Sequence, residues 1–415
     1  MNFSVDRKLA HLINRCHFKI DEIEEIRKLY SGQPFDPNDH GIRKLVALSD
    51  TLCEEYESLG ATVYKTRGRF RKAMRRRFKI LWLLFCGRFM FADVRTGLHM
   101  IIGLVDAPSL TFFNYDVTFS PALVTMGRGV EIAPKVKIGD GKTLEAYAET
   151  GLPSIEIGES VWIGIGATVH DGVALGQGSV CGAGADVQKN VPSLSLALGR
   201  PAKIKREIPK EAKTQKFGQG SPFTEQEENV LYAAVARWEK IPRIKFHAIL
   251  SGWQFNLVDR KLLSAYSTTH HICEAMNADE ASDENRQEGL KMLFPLRGEN
   301  VTIGKRLHLD ILGTSKLGDN VKIGNNVTLG GNLVIGNNVT LSDGCCLFAS
   351  GHPLDYRRRK MLFSIRHGLV QIGQNELIRV ADNVTIGENA IITPGSFVDR
   401  DVPAGAIWAN NKLVG

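Results

Sequence analysis

Aliphatic residues recur every six positions along two long stretches of this chain. In the first stretch Met126, Ile132 and Ile138 are followed, after a break, by Ile157, Ile163, Val169, Leu175, Cys181 and Val187. Small or β-branched residues stand four positions on, at Val130, Val136, Val161, Ala167, Val173, Ser179, Ala185 and Val191. The second stretch begins at Ile303 and Leu309, slips by two residues, and continues at Leu317, Ile323, Leu329, Ile335, Leu341 and Leu347. A long break follows, then Val380, Ile386, Ile392 and Val398. Side chains alternate faces along an extended strand, so the position-four residue and the next aliphatic residue both point inward. Gly, Asn or Asp between strands supplies corner conformations that other residues resist. A period held over so many units predicts short flat strands stacked into a solenoid with an aliphatic core.

Each repeat stretch is preceded by an amphipathic, helix-patterned segment, and the two segments match. Both carry Ser-Gly-x-x-Phe, as Ser31, Gly32 and Phe35 and as Ser251, Gly252 and Phe255. Both place an Asp four residues after that Phe, Asp39 and Asp259. The pattern predicts a tandem duplication. A helical module with a basic segment spans 1–105 and a first solenoid 106–208. A polar linker spans 209–224, a second helical module 225–298 and a second solenoid 299–415. A length of 415 residues fits such a multidomain chain.

Seven cysteines are too few for a disulfide scaffold, and no Cys/His group has zinc-ligand spacing. This predicts a reducing, cytoplasmic setting and no metal. Cys345 and Cys346 are expected to be packing residues. The N-terminus has no apolar signal region. The net charge of +7 is uneven, with Arg67, Arg69, Arg71, Lys72, Arg75, Arg76, Arg77 and Lys79 crowded together. That run reads as a solvated helix face, with an acidic partner or membrane surface next. No nucleic-acid motif accompanies it.

The hexads and helical modules resemble the maltose and galactoside O-acetyltransferases, a branch of the hexapeptide-repeat acyltransferases. The resemblance runs over most of the chain outside about 61–115. It implies a mainly β fold of two left-handed parallel β-helices, each preceded by a small helical module. The hand comes only from the resemblance, since ordinary parallel crossovers are right-handed. It also implies acetyl-coenzyme A as co-substrate, a sugar or oligosaccharide acceptor, and a homotrimer with sites between neighbouring solenoids.

The sharpest motif lies in the second break, Ser350-Gly351-His352-Pro353-Leu354-Asp355-Tyr356-Arg357-Arg358-Arg359. It is similar to the family's His-Pro-x-Asp…Arg loop, whose histidine is the general base. A sugar hydroxyl is a poor nucleophile at neutral pH, and a neutral imidazole can take its proton. Asp355 is expected to orient loop or acceptor, and Arg359 to anchor the loop or face donor phosphates. The same register in the first solenoid holds Thr143, which does not titrate near neutrality. His170, the only imidazole in that solenoid, is read as an exposed corner residue. The first half is therefore expected to have lost the activity.

That half nevertheless keeps Trp162, in a hexad resembling the one beside the acyl-donor cleft, and Pro201-Ala202-Lys203, resembling the exit segment that contacts coenzyme A. The second half has Thr385 in place of the Trp and no Pro-Ala-Lys. Its terminal hexads, with Ser396, offer a wall for the donor. Asn256 and Asp259 match the module positions that serve the acceptor, while Tyr266 stands where the family has Arg. His270 and His271 read as surface residues. The expected reaction is direct acetyl transfer to a sugar hydroxyl. The rivals are a non-catalytic scaffold and an acetyltransferase of some other small molecule.

Overall fold

The computed structural model describes residues 3–61, 67–87, 93–94, 97–108, 111–209, 220–237, 241–252, 255–256, 259–278, 281–310, 314–359, 362–364, 368–370, 372–375, 377–393, 396–409 and 411–414. Most of the expected linker, 210–219, lies outside the described residues. The chain divides into two compact units, one over Met1–Gly60 and Tyr64–Pro209, the other over Lys210–Gly415.

Both units are built from two- to four-residue parallel strands stacked in register into three sheets, a left-handed β-helix. In the first unit one such stack runs Phe112–Phe113, Glu131–Ile132, Trp162–Ile163, Val180–Cys181 and Ser195–Leu198. In the second unit Thr302–Ile303, Lys322–Ile323, Thr340–Leu341 and Thr385–Ile386 form another. The hexad positions fill the interior. Ile132, Ile163, Val169 and Cys181 are buried beside Val130, Val161, Ala167 and Ser179. Leu329, Leu341, Leu347 and Ile386 are buried beside Val327, Val339, Cys345 and Val384. Cys346 is buried as well. Ile303, in the first coil of the second solenoid, is the inward aliphatic left half-exposed.

The corners explain the Asn-rich hexads. Asn300, Asn320, Asn338 and Asn383 all adopt left-handed φ of +55 to +59°. Asn tolerates that region better than most residues with a Cβ. Their amides stack into a ladder, each donating to the next at 3.0 Å. One column of side chains thus satisfies itself coil by coil.

The helical modules follow the shared motif closely. In the first unit helices α1 (Phe3–Cys16), α2 (Glu24–Tyr30), α3 (His40–Ala61) and α4 (Arg67–Leu84) precede the sheets. In the second, α5 (Glu225–Ala236), α6 (Arg243–Leu250), α7 (Arg260–Asn277) and α8 (Asp283–Leu293) do so. Ser31 and Ser251 are the C-caps of α2 and α6, and the glycines after them take φ of +65° and +74°. A left-handed glycine there is the usual helix stop. Asp39 accepts from the Gly41 and Ile42 amides at the start of α3, and Asp259 accepts from the Lys261 amide at the start of α7. The motif is therefore a helix stop, a turn and a helix N-cap.

Candidate active site

The break in the second solenoid leaves the wall after strand Cys346–Phe348. Ser350–Gly351 then pairs antiparallel with Ile372–Asn375, and the latter pairs on its other edge with Phe255–Asn256. One three-stranded sheet thus joins the head of the His352 loop to the turn before α7. Asn256 and the strand leading into His352 come from segments about a hundred residues apart and are joined by this sheet. His352 itself is half-buried.

Behind His352 the loop closes on itself. Arg359 is 1% exposed, and its Nη1 donates to the carbonyls of Pro353 and Leu354 at 2.8 and 2.9 Å. A planar guanidinium bound to two successive carbonyls fixes the backbone directly after His352. Of the two expected roles, the geometry favours the anchor over a donor contact. A guanidinium this enclosed does not reach solvent phosphates. Asp355 is also 1% exposed and accepts from the amide and Nε of Arg357 at 3.0 and 2.6 Å. It braces the short helix α9 (Tyr356–Arg359).

Asp259, expected to serve the acceptor, is also engaged within the fold. One carboxylate oxygen caps α7 and the other accepts from Lys245. The Lys245 hydrogen bond comes first among the causes that hold its carboxyl below the usual range. Ser396 occupies an inward position, 2% exposed and 3.3 Å from the Thr393 hydroxyl, so its side chain faces the core rather than a cleft. His270, expected at the surface, is 8% exposed and paired with Glu274 at 2.7 Å. Glu274 lies one helical turn along α7, which sequence periodicity alone leaves unassigned to a face.

Two amides tie module to solenoid in the second unit. Buried Asn332 donates to the carbonyls of Ile249 and Leu250 at the end of α6. Asn277 exchanges two hydrogen bonds with the backbone of Leu307. Only the tertiary fold could reveal these, because each partner lies 30 or more residues away.

The equivalent break in the first solenoid is closed differently. It forms a short 3-10 turn, Leu144–Tyr147, whose Tyr147 hydroxyl donates to the Asp171 carboxylate. Thr143, in the His352 register, is exposed. His170, expected to be an exposed corner residue, is half-buried and bracketed by carboxylates. Its Nδ1 lies 2.7 Å from Asp140 and its Nε2 2.5 Å from Asp186. Partial burial alone would lower its pKa, but the two carboxylates outweigh that and raise it. A ring with both nitrogens occupied by carboxylates is a poor general base, because it keeps no lone pair for a substrate proton.

Trp162 is half-buried, with Val161 and Ile163 pointing inward on either side of it. The exit strand Lys203–Glu207 pairs antiparallel with Ser195–Leu198, which continues the sheet of Trp162. Ala202 donates to the Asp186 carbonyl, while Pro201 and Lys203 are exposed. In the second solenoid the exit hairpin, Ile407–Ala409 with Lys412–Leu413, extends a different sheet from that of Thr385. The two halves therefore differ in topology as well as in residues on this side.

Comparison with known proteins bears directly on this architecture. The family description "Bacterial transferase hexapeptide (six repeats)" matches residues 314–349. A Schizosaccharomyces pombe protein named "Putative acetyltransferase" is 32% identical over 213 residues, covering 48% of this chain and 98% of that protein. The chain belongs to the hexapeptide-repeat acetyltransferase family. The galactoside O-acetyltransferase of Escherichia coli K12 is 35% identical over 103 residues, 23% of this chain and 51% of that one. A hexapeptide-repeat acetyltransferase of Vibrio cholerae, solved with acetyl-coenzyme A, aligns over 45% of this chain and all of its own, at 26% identity and a TM-score of 0.37. This hexapeptide-repeat acetyltransferase is thus an acyltransferase whose chain runs to about twice the length matched by its S. pombe relative. Among its described residues no group of three or more His, Cys, Asp or Glu could hold a metal, and no helix is long and apolar enough to cross a membrane.

Proposed function

We propose that the protein transfers the acetyl group of acetyl-coenzyme A to a sugar or oligosaccharide hydroxyl, with His352 as general base. The observation that carries this reading is the construction of the His352 loop. Arg359 holds the backbone behind His352, and a three-stranded sheet joins its head to Asn256. A half-buried imidazole on a braced loop can accept a hydroxyl proton while the oxygen attacks the thioester carbonyl. As the carbon–sulfur bond breaks, the imidazolium returns the proton to the leaving thiolate. The acetyl ester and free coenzyme A account for every atom, and no covalent enzyme intermediate is required.

Asn256 is the acceptor contact we retain; Asp355 and Asp259 act through loop and helix. The donor would lie along the exposed wall of a neighbouring solenoid in a homotrimer, near Phe397 in the second half. Trp162, Pro201, Ala202 and Lys203 would serve the same purpose if the first half retains a donor. We assign the first solenoid a structural role, a reading favoured by the bracketed His170 and the exposed Thr143. The sugar acceptor draws support from the relative named galactoside O-acetyltransferase.

The test is release of free thiol from acetyl-coenzyme A by the full chain against a panel of mono- and oligosaccharides. Sugar-dependent thiol release supports the reading. Turnover with amines or small non-sugar alcohols alone would replace the acceptor class, and no acyl transfer to any of them would favour a scaffold.

A further inference from the structure

Helix α4 has one face that the acetyltransfer site does not use. Its residues RGRFRKAMRRRFKILWLL contain eight cations and no acid. Ala73, Arg77, Ile80, Leu81 and Leu84 form its buried stripe. Arg77 turns inward with its guanidinium 4.3 Å from the Tyr56 ring centroid, and Arg76 pairs with Glu55 of α3. Lys72, Arg75 and Lys79 remain on the exposed side. Phe78 stands among them with 52% of its surface exposed. One turn further on, half-buried Trp82 packs against His11 and carries the Arg15 guanidinium of α1 5.5 Å from its ring. The cationic face therefore continues onto a second helix.

We infer that this face docks the protein on an anionic phospholipid membrane surface. Charge complementarity and the exposed ring together select this partner. A polyanion that offers only phosphates would satisfy Lys72, Arg75 and Lys79 but leave Phe78 in water. A headgroup layer supplies anionic phosphates at the level of the cations and acyl chains just beneath, where an aromatic ring is favoured. The aliphatic stems of Lys and Arg lie along such a boundary with their charges outward. Each cation near an anionic leaflet contributes roughly a fivefold factor in affinity, and the attraction weakens as salt rises. Docking would be peripheral and reversible, and it is independent of the acetyl-transfer chemistry.

The experiment is co-sedimentation of the full chain with vesicles of phosphatidylcholine alone and of phosphatidylcholine mixed with phosphatidylserine. The expected result is sedimentation with the serine-containing vesicles only, reduced by added salt. The triple variant Lys72→Glu, Arg75→Glu and Lys79→Glu should abolish it. Phe78→Ser should weaken it several-fold while leaving the salt dependence. All four positions are exposed, so the melting temperature should not change. Equal sedimentation with neutral vesicles, or an unaffected triple variant, overturns the proposal. So does binding of polyuridylate without binding to serine-containing vesicles, which would make the face a nucleic-acid site.

Discussion

His352, Arg359 and His170 carry the residue-level account, and each makes a different prediction. Arg359 binds loop carbonyls, so Arg359→Met should lower kcat by roughly 10- to 100-fold through misplacement of His352. The KM for acetyl-coenzyme A should stay nearly unchanged, and Arg359→Lys should restore part of kcat. A raised donor KM at constant kcat would instead assign Arg359 to the donor phosphates. His170 links the first unit to pH. Its folded-state pKa is raised, so its contribution is fully present below its unfolded value of about 6.5. It is lost as pH rises through the folded value. The melting temperature of the wild type relative to His170→Gln should therefore fall from mildly acidic to alkaline pH. A constant difference would mean that His170 stays neutral. The loop motif was legible in the sequence because His-Pro-Leu-Asp is a local pattern. The bracketing of His170 was not, because Asp140 and Asp186 lie 30 and 16 residues away and only stacking of coils brings them together.

At the scale of elements, the hexad arithmetic predicted the buried positions of both solenoids with little loss. The reason is geometric, since a two-residue strand period and a fixed corner leave each position only one face. The helical modules were legible as helices but not in the purpose of their shared residues. Ser-Gly-x-x-Phe and the following Asp read in the sequence as the mark of a duplication; in the structure Ser-Gly ends one helix and the Asp caps the next. Asp39→Ala and Asp259→Ala should each cost about 1 kcal/mol of stability, the usual value of a lost N-cap. Chemical denaturation of each variant checks this. If Asp259→Ala leaves stability unchanged but raises the KM for the sugar, its acceptor role must be reinstated. Interior hydrogen-bond partners such as Asn332 leave no periodic trace in a sequence, which is why the docking of the modules had to await the fold.

At the scale of the whole molecule, the second unit has its own continuous core, from Phe223 through Trp408. A fragment of residues 223–415 should therefore fold cooperatively and retain turnover. Loss of donor affinity in a folded fragment, reproduced by Lys203→Ala in the full chain, would make the two halves one composite enzyme. The full chain should sediment as a trimer near three times 45.8 kDa, because a single solenoid wall supplies only one side of a cleft. An active monomer in light scattering would contradict that assembly. The doubled architecture was visible in the sequence, since repeat and module recur in the same order. The different sheets taken by the two exit hairpins were not, because they depend on how many coils follow each break.

In the proposed mechanism one solenoid performs the chemistry, through His352. The most direct measurement is the rate of acetyl transfer from acetyl-coenzyme A by the wild type, His352→Ala and Thr143→Ala, at equal folded concentration. The account predicts a loss of roughly 10²- to 10⁴-fold for His352→Ala, the range for a missing general base, and wild-type turnover for Thr143→Ala. Full turnover by His352→Ala, or a matching loss in Thr143→Ala, would contradict it.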